Sequence, residues 1–586
     1  MKRILSAVLC AVMLLGVLAS CTTLVGEDKG MIIGVSITTE LFDFDPALHF
    51  NDDAMVKIYD LIYEGLTDLD ENGKWQKALM KSYEIKGNDE DGYSMLIRLN
   101  STRWTDGRTV QAADFVYAWK RILDPEFMSE AAPLLYDIKN ARAVKLGDAS
   151  IDDLGVAAVD TYVLQIEFET KIDFDLFLET LASPALVPLR EDIVSRDVNW
   201  AKQSSTLVTN GPFAIKELTN GTSMRLERSS YYYLDAEDET QALDTYVIPY
   251  RLMTDYTGGA EAALARFEAG ELFYIDEIPL SARAKYAGTA TITDELATHA
   301  YVFNENNKLF ADARVRRALS MAIDRNAVVQ AITFAKPATG LIPAPVFDGT
   351  NKTFFRAVGG DVISASADAS GAKSLLQQAG VTSGSFTITI RANEVDRAIA
   401  NCVQSAWNAL GFNVTVKELT STKLPEYDKA YSDDFQTAYM SGDFDVIGID
   451  LQMLSSDAFG ALAPFATEFS GRGVDMNSEN YDVKGHISGY ASEEYDAIIE
   501  EAFAEKDRAA RAAILHRAES KLMEDMPVCP IVFLQDAYLI HGELSGYKST
   551  YYATRDFKRM KLKDYTKYLP EEETEAAPGA DTTAAG

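Results

Sequence analysis

Between Gly92 and Asn100, Tyr93, Met95, Ile97 and Leu99 alternate with Ser94, Leu96 and Arg98, the period-two pattern of a half-buried strand. The chain then runs into Arg103–Glu126. Asp106-Gly107 is a turn dipeptide. Phe115, Val116, Trp119, Ile122 and Leu123 follow at helical spacing and form one apolar stripe. Asp114 falls in the first turn, where a carboxylate meets the positive end of the helix dipole. Gln111, at the N-cap, is a mediocre capping residue, and Pro125 stops the helix. Met31–Thr38, the alternation Tyr162, Leu164, Ile166, Phe168 and the alternation Thr222, Met224, Leu226 predict further strands. Val315, Ala318, Leu319, Ala322 and Ile323 share one helical face behind Asp312, a plausible N-cap. Phe386, Ile388 and Ile390 predict a strand, Asp396–Leu410 a helix ended by Gly411, and Phe412, Val414 and Val416 a second strand. That order implies an α/β unit with parallel pairing. Tyr490–Met526 reads as mostly helical, and Pro530–Ile540 returns as a strand.

At 586 residues the chain exceeds what one hydrophobic core serves, so two or three domains are expected. The formal net charge of −34 argues against nucleic acid or an anionic membrane surface as the main partner. Cys402 and Cys529 are far apart in sequence and make no CxxC motif; two free buried thiols are expected ahead of a bridge. Residues 1–20 read as a secretory leader: Lys2 and Arg3, then an apolar run from Ile4 to Val17 too short for a comfortable span. Leu18-Ala19-Ser20-Cys21 resembles the bacterial lipobox, which implies a lipid-modified Cys21 holding the protein at the membrane. Residues 21–30 are a tether, and the acidic, low-complexity tail at 564–586 is expected to be disordered.

Trp104, Asp106, Gly107, Val110, Ala112, Asp114, Phe115, Val116, Tyr117, Trp119, Arg121, Asp124 and Pro125 form one ungapped run. The run resembles a segment of the large extracellular solute-binding proteins that deliver oligopeptides to ABC importers, the peptide/nickel-binding family. Further blocks resemble that family in order: Glu40–Ala47, Tyr63–Gly73, Asn210–Phe213, Gly270–Leu272 and Phe310–Arg325. In the last, Arg314, Arg316 and Arg317 are read as a solvated or ion-paired face rather than an anion site. The resemblance implies an α/β fold: a periplasmic-binding-protein-like two-lobed clamp with three domains, of the large peptide-binding cluster. It assigns 31–72, 196–300 and 526–563 to domain I, 73–195 to domain II and 301–525 to domain III. Domains I and II make one lobe and domain III the other, closing by hinge motion.

The resemblance also places ligand contacts. Glu40, Phe42 and Asp43 fall on the segment that meets ligand backbone, and Tyr427 near an aromatic lining a domain III pocket. In the run Gly442–Ala458, relatives carry a Trp and then an Asp that pairs the ligand's terminal amine. Here Leu451 replaces the Trp and Leu454 that Asp, while Asp457 persists. Leu cannot pair an ammonium, and an unpaired buried amine costs several kcal/mol, roughly. Either Asp450 or Asp457 substitutes, or the ligand is longer, blocked, or not a peptide.

None of the five His residues falls in a metal-ligand spacing such as HExxH, and no nucleophile elbow, P-loop or dinucleotide fingerprint is present. No catalytic residue, metal or cofactor is therefore expected. The reading is a monomeric, extracytoplasmic, lipid-anchored receptor that captures an oligopeptide or related solute and passes it to an ABC importer permease. The alternatives are a peptide sensor without transport, an oligosaccharide-binding relative and a secreted hydrolase.

Overall fold

In the computed structural model the described residues are 32–37, 43–219, 223–229, 231–232, 251–255, 258–350, 352–423, 431–453, 457–478, 481–558 and 560–563. Two 13-residue strands, Thr291–Phe303 and Val528–Ile540, run antiparallel to each other. Each spans roughly 44 Å, enough to cross from one half of the molecule to the other. They sit in the middle of the largest sheet. On one side follow Val446–Gln452, Gly384–Arg391 and Phe412–Leu419; on the other follow Tyr274–Ile275, Ile32–Ser36, Arg251–Asp255, Ser223–Arg228 and Phe213–Thr219. The register between the two long strands shifts between Asp294 and Thr298 and again at His299/Ala300. Such irregularities bend a strand locally, and here they lie where the two halves join. The result is a two-lobed clamp of mixed α/β class whose lobes share continuous strands.

The predicted α/β unit is present. Gly384–Arg391 and Phe412–Leu419 pair in parallel, joined by helix Glu394–Ala409, and Gly384–Arg391 also pairs in parallel with Val446–Gln452. Gly411, at φ 105°, turns the chain after that helix in a conformation that suits glycine. Trp407, Ile399 and Val403 fill the space between helix and sheet, with Trp407 Nε1 donating to Leu319 O at 2.9 Å.

A second, antiparallel sheet is formed by Met80–Asn88, Gly92–Leu99, Val163–Phe168 and Val156–Asp160. Helix Ala112–Leu123 packs beside it and buries Phe115, Trp119, Ile122 and Leu123 completely or nearly so. The weak N-cap at Gln111 is supported from within the helix: Asp114 Oδ2 accepts the Gln111 amide at 2.8 Å and Trp104 Nε1 at 3.0 Å. At the other end, the buried Lys145 ammonium donates to the carbonyl of Ile122 in the last helical turn and to those of Asp124 and Phe127 just beyond it. Arg121 reaches Asp45 with both guanidinium nitrogens, at 3.0 and 2.5 Å. Asp45 is itself the N-cap of helix Pro46–His49. Two of the sequence blocks thus meet in one contact between the second sheet's helix and the first lobe.

Helix Ala313–Met321 starts at Asp312 as expected. The reading of its arginines as a solvated or ion-paired face holds for Arg314, which pairs with Asp312, and for Arg316 in its ion-paired form, although Arg316 is buried rather than solvated. Arg316 is 3% exposed and clasps the carbonyls of Asp525, Met526 and Phe310, with Glu305 at 3.0 Å. Arg325, 1% exposed, likewise holds Pro530 O, Ser320 O and Ser364 O. These guanidiniums bring buried donors to backbone carbonyls at the domain's connections. Cys402 and Cys529 are free thiols, Cys529 buried and Cys402 half-buried. The predicted helical stretch at 490–526 is two helices, Glu493–Ala504 and Arg508–Asp525, the second capped by Asp507. Among the described residues no helix is long and apolar enough to cross a membrane. The leader, Cys21 and the acidic tail lie outside the described residues.

Candidate functional site

Ligands of α/β proteins gather at the carboxyl ends of parallel strands, because the strand ends and the following loops leave a crevice there. In this chain Arg391 and Leu419 end their strands, Leu451 lies one residue before the end of its own, and all three line one cavity of ≈390 Å³ between the lobes. The opposite wall comes from helix Pro46–His49, the start of helix Asp53–Ile62, and Met128–Glu130. The floor is made by Asp276–Ile278 and by Leu534–Ala537 of the crossing strand.

Contacts between the lobes surround this cavity. Arg391 Nη1 holds Asp433 at 2.9 Å and Nη2 approaches Asp52 of the facing lobe to 3.5 Å. Tyr439 OH donates to Glu130 Oε1 at 2.9 Å, and Asn51 Nδ2 holds the other oxygen at 3.2 Å. Farther out, Arg508 meets Asp173 at 2.5 Å and Glu179 at 3.2 Å, and Arg142 Nη1 meets Glu500 at 2.9 Å. The clamp is closed.

The cavity is acidic. Asp43, Asp52, Glu130, Asp276, Glu277, Glu295, Asp396, Asp433, Asp450 and Asp536 line it, against Lys57, Arg283 and Arg391. This imbalance disfavours an anionic occupant. On the second lobe, His299 Nδ1 lies 2.7 Å from Asp450 Oδ1. Burial opposes the charged form of His299, but Asp450 overrides it and raises the imidazole above its ordinary range. Asp396, 6% exposed, is pushed up to about 6 by burial and by the charge of Asp450. One donor atom from each of His299, Asp396 and Asp450 lies within 4.8 Å of the others, the one grouping of metal-ligand spacing among the described residues. The short His299–Asp450 contact already makes an ion pair of two members, and the same carboxylates suit an ammonium ion equally well.

Of the residues singled out from sequence, Asp43, Asp450 and Leu451 line the cavity. Burial works against the Asp43 carboxylate, yet His49 and Lys202, each 3.8 Å away, and the Asp45 amide hold it below the usual range. Asp457 is elsewhere: it pairs with Arg511 at 3.0 Å, caps the Phe459 amide at 2.6 Å, and borders a small separate hollow with Arg508. Glu40, Phe42, Tyr427 and Leu454 lie outside the described residues. Sequence reasoning missed Asp396, Arg391 and Asp52. The first two could have been found, since Arg391 and Asp396 flank the end of a strand already assigned to a parallel pair.

Comparison with known proteins agrees with this geometry. The chain is 28% identical to the dipeptide-binding protein DppE of Bacillus subtilis, over 88% of this chain and 89% of that protein. It is 27% identical to the oligopeptide-binding protein OppA of the same organism, over 89% and 91%. A crystal structure of the substrate-binding domain of an oligopeptide ABC transporter from Bacillus anthracis superposes with a TM-score of 0.76 at 20% identity, covering 91% of this chain and 99% of that one, a likeness of fold. Residues 74–472 match the family model described as bacterial extracellular solute-binding proteins, family 5. With more than half its length inside that match, and with a closed clamp around an acidic cleft, the chain belongs to the bacterial extracellular solute-binding proteins of family 5.

Proposed function

We propose that the protein captures an oligopeptide between its lobes and hands it, unaltered, to the permease of an ABC importer. The observation that carries this reading is the cavity of ≈390 Å³ whose walls come from both lobes and whose floor includes Leu534–Ala537 of a strand they share. A ligand touching both walls binds the closed form and not the open one, so capture and closure are one event. An extended peptide suits such a slot, because main-chain hydrogen bonds hold it regardless of sequence.

Asp450, backed by His299 and with Asp396 alongside, takes the ligand's terminal ammonium, in place of the position that Leu454 occupies. The receptor works outside the cytoplasm on a lipid anchor at Cys21, a reading supported by the leader-like residues 1–20 and the lipobox-like Leu18–Cys21. Native mass spectrometry of protein purified from its own host tests the reading. A population of adducts whose masses dissociate to peptides is expected. Ligand-stripped protein that binds no member of a random peptide library by calorimetry would overturn it.

A further inference from the structure

Three carboxylates also gather on the floor of the cleft. Asp276 and Glu277 follow strand Tyr274–Ile275, and Asp536 lies on the strand paired with it, Val528–Ile540. Lys57 holds its Nζ 3.5 Å from Asp276 Oδ2 and 3.9 Å from Asp536 Oδ1. Asp536 is 2% exposed, and its Oδ1 receives no hydrogen bond; Arg555 is committed to the other oxygen. Arg283, the nearby guanidinium, donates to the carbonyls of Ile278 and Ile332 at 2.9 and 2.7 Å. A buried carboxylate oxygen on a cavity wall is costly until a donor reaches it.

We propose that this floor seats a cationic side chain of the ligand, so that the cleft selects basic peptides that present a Lys- or Arg-type group to Asp276, Glu277 and Asp536. The inference rests on the peptide reading above and adds to it the class of peptide. A neutral or acidic side chain at this place leaves the Asp536 oxygen without a donor inside a closed cleft. An ammonium or guanidinium supplies that donor. The seat is separate from Asp450 and Asp396 on the facing lobe, which take the chain terminus.

Proton linkage follows from the groups that face Glu277. Burial first, and then the charges of Asp276 and Glu394 against those of Arg283 and Lys57, put its carboxyl at about 7. A cation favours the ionised form, so binding releases a proton. Affinity for a basic peptide therefore rises by about tenfold between pH 6 and pH 8, as the free carboxyl ionises.

The test is calorimetry on the full, ligand-stripped protein with alanine pentapeptides carrying Lys, norleucine or Glu at each position in turn, and with spermidine. At one position or more, the Lys peptide is expected to bind at least tenfold more tightly than its norleucine counterpart, with Glu weakest. Glu277→Gln, a half-buried loop residue whose fold is checked by thermal melting, is expected to cut that preference below threefold while norleucine peptides change less than twofold. Lys and norleucine peptides binding alike at every position overturns the seat and leaves peptide capture standing. Binding of spermidine alone, weakened tenfold in Glu277→Gln, upholds the seat and overturns peptide capture. No binding by any probe overturns both.

Discussion

Replacing Asp450 by Asn keeps the shape of the side chain and removes its charge. In the structure Asp450 Oδ1 lies 2.7 Å from His299 Nδ1, its side chain is 42% exposed, and it lines the cleft on the second lobe. Truncating one partner of a buried, hydrogen-bonded charge pair costs roughly 2–5 kcal/mol, whereas an exposed pair contributes under about 1. Partial exposure places Asp450 between these limits, at about 1.5–2 kcal/mol. A free-amine peptide is therefore expected to bind Asp450→Asn some 10–30-fold more weakly, roughly. The same peptide acetylated at its terminus has no ammonium to lose and should change less than twofold. Calorimetry at pH 7.5 and 0.15 M salt reads both. An unchanged affinity for the free-amine peptide, or an equal loss for the acetylated one, would refute the assignment.

The variant also has a pH signature. Asp450 raises the His299 imidazole above its ordinary range, so the contact stabilises the fold fully below the unfolded-state value near 6.5 and fades as pH climbs through the folded-state value. Melting temperatures of the parent and the variant should accordingly differ more at pH 5.5 than at pH 9.

Three other changes probe different parts of the account. Arg508→Ala removes the contacts to Asp173 and Glu179 across the lobes; a loss of about 1 kcal/mol, seen as about fivefold faster peptide release by stopped flow, is expected, and 0.5 M salt should narrow the gap from the parent. Arg325→Met removes the guanidinium donors from the carbonyls of Pro530, Ser320 and Ser364; a loss of about 3–5 kcal/mol in chemical unfolding is expected, and a loss below about 1 would contradict the carbonyl-clasping role. Cys21→Ser should release the protein from the membrane fraction, and continued membrane sedimentation would rule out the lipid anchor.

The core was easier to read from sequence than the site. Phe115, Trp119, Ile122 and Leu123 announce their helix because a single local period sorts apolar from polar positions. The parallel unit around Asp396–Leu410 is similarly local, and its strand ends mark where a ligand crevice must open. Arg316 and Arg325 were less legible. For Arg316 the sequence suggests solvent or an ion pair, and only the fold shows the carbonyls of Asp525 and Pro530 arriving at Arg316 and Arg325 from two hundred residues away. The acidic floor is opaque for the same reason. Asp276 and Asp536 meet only because the strand at 274–275 pairs with the strand at 528–540. Asp457, the carboxylate retained from the resemblance, is engaged by Arg511 outside the cleft, and nothing in its local sequence signals that partner.

Capture by closure is tested most directly by small-angle scattering of the ligand-stripped protein before and after addition of a tightly bound peptide, with mass spectrometry of the peptide recovered afterwards. The radius of gyration is expected to fall on binding and the peptide to return intact. An unchanged radius at saturation, or a cleaved peptide, would contradict this.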